Sequence, residues 1–165
     1  MRRFTFLAPL TAAAALAGAG AAAAQPSAVV VTVSPDFTKT AEELGPREVQ
    51  QQVDDLTARV TRVLTERHAL DGARIELTIT DLKPNRPTMQ QTVAKPGLDP
   101  LRSISIGGAA IEGTVTTASG EVHPVKYDYY SNNLTDVRGY ATWQVAGTAF
   151  NRLARNLADG RYVTR

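Results

Sequence analysis

The chain reads as an α+β domain, and three features of the sequence predict it. A β-branched run fills residues 28–33, an apolar stripe at helical spacing runs from residue 49 to 64, and a second stripe follows a hairpin near the C-terminus. The predicted order is β-α-β-β-β-α. Its economical packing is a two-layer sandwich, a mixed sheet of about four strands with two helices on one face. A right-handed crossover is expected between the first two strands.

Ala28-Val29-Val30-Val31-Thr32-Val33 is the first strand, expected to be buried because its residues are almost all β-branched and apolar. Ser34-Pro35-Asp36 ends it. Pro46 then stands where the first turn of a helix tolerates a missing N–H. Val49, Val53, Leu56, Val60, Val63 and Leu64 follow at steps of three and four with polar residues between them. That spacing predicts one helix of roughly 22 residues, stopping before Gly72.

In Ala73–Thr80 the residues Ile75, Leu77 and Ile79 alternate with Arg74, Glu76, Thr78 and Thr80, which predicts a strand with one wet face. From Lys83 to about Leu101 the pattern dissolves, and Pro84, Pro87, Pro96 and Pro100 argue for a long loop. Ser103–Tyr130 reads as a long β-hairpin turning at Ser119-Gly120. Gly107-Gly108 shifts its phase as a bulge or bend would, and Pro124 pushes the return strand towards an edge. A second helix is predicted from about Tyr140 to Ala158. Trp143, Ala146, Phe150, Leu153 and Leu157 form its stripe, and Gly160 stops it.

Residues 1–24 read as a cleaved signal peptide. Met1-Arg2-Arg3 supplies the positive start, Phe4–Ala24 the apolar run, and Ala22 and Ala24 the small residues before a cut at Gln25. The competing reading is an uncleaved anchor, which the Ala and Gly content of the run disfavours. The chain has no cysteine, so it offers neither a lipid attachment site nor a disulfide. Residues 25–165 are then one exported domain, periplasmic or secreted, with no stable membrane anchor. The full sequence carries 18 Lys+Arg against 16 Asp+Glu. Losing Arg2 and Arg3 leaves 16 of each, so the expected mature part has no net charge and no electrostatic reason to bind nucleic acid.

No residue set carries a catalytic or metal-binding signature, and no cofactor is predicted. His68 and His123 are the only histidines, and no short spacing gives either a set of co-ligands. Ser119, His123 and Asp128 crowd one hairpin, whereas a working triad draws on separated elements around an oxyanion hole. Glu42-Glu43 and Asp54-Asp55 are adjacent in sequence and splay apart on a helix.

Two features stand above this background. The Pro-rich basic loop presents Pro84, Asn85, Arg86, Pro87, Lys95 and Arg102 as a candidate partner-binding surface, because a stiff loop loses little entropy on binding. Tyr127 and Tyr129 share one strand face, and with Trp143 they form a candidate ligand pocket between the hairpin and the second helix.

Pro96-Gly97-Leu98-Asp99, Ser105-Ile106-Gly107-Gly108-Ala109-Ala110-Ile111-Glu112-Gly113, the turn Ser119-Gly120, and Thr142-Trp143 with Phe150 and Leu153-Ala154 also form a set. It resembles small exported proteobacterial proteins of unknown function. More distantly, the layout is similar to auxiliary envelope lipoproteins of transport systems, although this chain has no cysteine to anchor. The resemblance covers about half the chain, rests on structural motifs and carries over no catalytic residue. The reading that follows is a non-enzymatic accessory or binding protein of the cell envelope, acting on a protein or envelope partner through the loop and the open sheet edge. The alternative is a binder of a small ligand in the tyrosine pocket.

Overall fold

The structure is a computed structural model that describes residues 25–164. The predicted signal peptide lies outside the described residues. The fold is α+β with one mixed sheet of five strands, in the spatial order β1-β2-β3-β4-β5. The strands are β1 (Ala28–Val33), β2 (Arg74–Lys83), β3 (Gly108–Thr116), β4 (Val122–Tyr130) and β5 (Val163–Thr164). The helices are α1 (Thr38–Leu44), α2 (Pro46–Arg67), α3 (Met89–Ala94) and α4 (Gln144–Ala158). β1 runs parallel to β2, β2-β3 and β3-β4 are antiparallel, and β5 runs parallel to β4. Among the described residues no helix is long and apolar enough to cross a membrane.

The stripe on α2 does what its spacing requires. Leu56, Val60 and Leu64 are completely buried, and each such side chain stabilises the fold by about 1.5–3 kcal/mol. On α4 the buried set is Val145, Ala146, Ala149, Phe150, Leu153, Ala154 and Leu157. α2 packs on α4 and β1, while α4 packs on β3 and β4. Ile75, Leu77 and Ile79 of β2, Ile111 and Val115 of β3, and Val125 and Tyr127 of β4 complete one hydrophobic cluster with both helices. The opposite face of the sheet carries Glu76, Glu112, Lys126 and Asp128, all exposed.

Several expectations need correction. The sheet has five strands rather than about four, because the C-terminus pairs Val163 and Thr164 with Lys126 and Tyr127. Four helices form rather than two. α1 is short and buries only Leu44. α3 forms inside the proline-bearing segment expected to be an irregular loop. β1 is an edge strand with alternating exposure, not a buried one. Ser103–Gly107 stays outside the sheet, so the hairpin begins at Gly108. The register slip falls on β2 between Ile79 and Asp81 rather than at Gly107-Gly108. Pro124 sits in the half of β4 that β5 does not reach, where a missing N–H costs no ladder bond. α4 starts at Gln144, not Tyr140. α2 has the expected length, 22 residues from Pro46 to Arg67 and so ending before Gly72, with His68 in the left-handed conformation as its cap.

On the open face the Tyr130 hydroxyl donates to Asp81 Oδ2 at 2.6 Å, and the Lys83 ammonium lies 3.4 Å from the same oxygen and over the Tyr130 ring. Partial burial, and then the hydrogen bond to Asp81, push the Tyr130 phenol above its ordinary range. A raised folded-state value means the folded protein holds this proton more tightly than the unfolded chain. Its contribution is therefore whole below about pH 10, where the unfolded phenol starts to ionise, and is lost as pH rises towards the folded value. Stability measured by urea unfolding is expected to stay level through neutral pH and fall above about pH 10, and Tyr130→Phe is expected to make that fall shallower. An identical alkaline slope in the variant would contradict this.

Candidate functional site

The 83–107 segment is a braced platform. Asn85 is its centre and is completely buried. Its backbone N–H donates to Thr142 O at 2.7 Å, and its backbone O accepts from Ser105 N at 2.9 Å. Its side-chain Oδ1 accepts from Val145 N at 3.0 Å, and its Nδ2 donates to Ser105 O at 3.3 Å. Asn85 thereby caps the first turn of α4 from a distant segment, satisfying an N–H that the helix itself cannot. Arg86 Nε donates to Tyr140 O at 2.6 Å and its Nη1 to Leu101 O, so this side chain ties two loops together. Neither residue is the free partner contact that a Pro-flanked polar pair suggests. Both hold the platform in place.

α3 rises from this base. Thr88 Oγ1 accepts from Gln91 N and the Gln91 side chain accepts from Thr88 N, a reciprocal capping box. Glu48 of α2 accepts from Met89 N at 3.1 Å with one oxygen and from the Trp143 indole at 3.2 Å with the other, joining α3 to the start of α4. Asp99 Oδ1 accepts from the backbone of Leu101 and Arg102, fixing the turn that follows. On this frame Met89, Val93 and Leu101 stand 73%, 78% and 79% exposed. Met89 and Val93 are one turn apart on α3 and share a face. A groove of about 300 Å³ lies alongside, lined by Pro84, Pro87, Leu98, Ile104 and Ile106 with Lys83 and Gln91. Lys95 and Arg102 are exposed, and neither enters an ion pair among the described residues.

The three aromatic candidates do not come together. Tyr127 and Tyr129 line a cleft of about 450 Å³ between β4 and α4, as their shared strand face predicts. Trp143 lies instead at the N-terminus of α4, in a different hollow of about 610 Å³ with Gln52, Asp55 and Arg59. What sequence reasoning missed in the tyrosine cleft is its charge. Arg67, Arg152, Arg155 and Arg161 line it, against Asp128 and Asp159. The spacing of Arg152 and Arg155 on one helix face was a usable signal. Arg67 and Arg161 reach the cleft only through the tertiary fold.

Among the described residues, no group of three or more His, Cys, Asp or Glu is placed to hold a metal ion. His123 stacks on Tyr162, with ring centroids 4.6 Å apart, and its Nε2 lies 3.4 Å from Glu121 Oε1. The chain matches no protein-family model and no curated protein.

Proposed function

We propose that this is a non-enzymatic binding protein of the cell envelope, exported to the periplasm or beyond, that docks a protein partner on the 83–107 platform. One observation carries the reading: three large apolar side chains, Met89, Val93 and Leu101, are held almost fully in water on a segment whose backbone is locked from beneath. Leaving them there forgoes about 1.5–3 kcal/mol of burial apiece, which a partner surface would recover. The platform is already ordered in the free protein, so docking carries little of the entropy cost of fixing a loop. The unpaired cations of Lys95 and Arg102 favour a partner with an apolar centre and an acidic rim. The resemblance to exported envelope proteins supports the same setting.

The test is a double substitution on the outward face of α3. Met89→Asp with Val93→Asp places two charges in the patch and leaves the core untouched, so stability is expected to change by less than about 0.5 kcal/mol per site. Capture of envelope proteins on the immobilised domain, quantified by mass spectrometry, is expected to fall at least about tenfold for the true partner. The same proteins recovered in the same yield by both forms would sink the proposal.

A further inference from the structure

The arginine cleft shares no lining residue with the platform groove and calls for its own ligand. Its four arginines outnumber the carboxylates at its lining, Asp159 and Asp128, and the Asp128 side chain belongs to the other face of the sheet. This stands on a domain whose residues 25–165 carry 16 Lys+Arg against 16 Asp+Glu. Two features hold these arginines in place. Asp159 accepts from both Arg67 and Arg161 at 2.7 Å, drawing the two to one side. The Arg152 guanidinium carbon lies 4.1 Å from the Tyr129 ring centroid, a cation–π contact that leaves its N–H donors unused. Arg155, one turn further along α4, has no ion-pair partner among the described residues.

Tyr127 lines the cleft as well. Its side chain is 5% exposed, and its hydroxyl makes no hydrogen bond among the described residues and stays open to water. Guanidinium groups free of ion pairs in a concave site are what an oxyanion completes. The charge identifies which one. A carboxylate brings one negative charge and leaves the cleft positive, whereas a phosphate or phosphomonoester brings about 1.5–2 at neutral pH and several acceptor oxygens.

We propose that this cleft binds the phosphate group of a phosphomonoester, gripped by Arg152 and Arg155, with Arg67 and Arg161 as flanking charge and Tyr127 donating from the floor. The volume of about 450 Å³ leaves room for an organic moiety beyond the phosphate itself. The group has two possible sources, a free metabolite or a lipid headgroup, and the experiment separates them.

Glycerol 3-phosphate is titrated into the 25–165 chain in low salt, with binding read by calorimetry and by the shifts of the arginine Nε–H signals. Saturable binding is expected, with the Arg155 signal moving. Arg152→Ala with Arg155→Ala is expected to weaken it at least about tenfold, because a hydrogen bond to a charged group is worth more than a neutral one. Arg62→Ala, on the exposed side of α2, should leave it unchanged. Vesicles of phosphatidylcholine with and without phosphatidic acid form the second arm. Sedimentation with the phosphatidic acid vesicles that depends on the same two arginines makes the source a lipid headgroup, and its absence alongside glycerol 3-phosphate binding makes it a soluble ester. Failure to bind either probe, or binding that the double variant retains, overturns the proposal. Either result leaves the platform reading standing or falling on its own test.

Discussion

Asn85→Ala is expected to destabilise the domain by about 2–4 kcal/mol, with the urea midpoint falling and the slope of the transition unchanged. The side chain has no access to solvent, so its two hydrogen bonds cannot be replaced by water at little cost. Removing it strands the buried Val145 N–H in the first turn of α4 and releases Ser105 C=O, which belongs to an exposed residue. An unsatisfied buried group costs about 1–3 kcal/mol, and the lost side-chain packing adds to it. A cavity is left beneath Gly107 as well, whose Cα packs so tightly on Asn85 that an added Cβ would lie 2.5 Å from Nδ2. Asn85→Asp keeps the acceptor for Val145 but buries a charge and loses the donor, so it should rescue little. If Asn85 served a partner rather than the fold, the alanine variant would unfold at the wild-type midpoint.

Gly113→Ala is expected to cost about 3 kcal/mol or more, at the upper end of what overpacking a core imposes. A Cβ built on Gly113 would lie 2.1 Å from Glu76 O and 2.9 Å from Leu77 Cα. Both are backbone atoms of β2, and β2 and β3 are interior strands of the sheet, so no side chain can swing aside to make room. The two strands must separate, which weakens the ladder between Leu77 and Gly113 and the packing of Leu77 beneath it. In a domain of this size the melting temperature should drop by on the order of 10 °C. Gly120→Ala is the comparison: its φ of +87° makes a side chain uncomfortable, but nothing lies within 4 Å of the new Cβ. A loss of about 1 kcal/mol is expected there. Equal losses at the two glycines would show that the close strand approach does not matter.

The sequence was most legible where one physical signal dominated. The valine run at 28–33 marks β1, and the three-and-four spacing from Val49 to Leu64 marks α2, with Pro46 at its first position. The burial of β1 was misjudged because composition reports what a strand resembles, not whether a neighbour covers its edge. α3 was hidden because it buries no residue and so has no stripe. Its one readable sign was Thr88 followed three residues later by Gln91, which the surrounding prolines overshadowed. β5 is two residues long and exists only because β4 is beside it.

The candidate sites divide along the same line. Tyr127 and Tyr129 share a face because strand side chains alternate, and that was plain from the chain. Asn85 between prolines has the appearance of a surface turn, and only the fold reveals that it caps a helix 60 residues away. Trp143 belongs to the same helix stripe by spacing, yet it ends as the residue before α4 and turns towards Glu48 instead. The arginine cleft gathers residues from α2, α4 and the C-terminal strand, a convergence that no local pattern encodes.

The most direct test of the docking surface is a photoreactive residue at Val93 in intact cells, with a second probe at Val122 as the comparison. Val122 is also an exposed apolar residue, but it stands at the far end of the hairpin, opposite Thr116. The account predicts one envelope protein crosslinked reproducibly from Val93 and not from Val122. No protein adduct at Val93, or the same adducts from both positions, would contradict it.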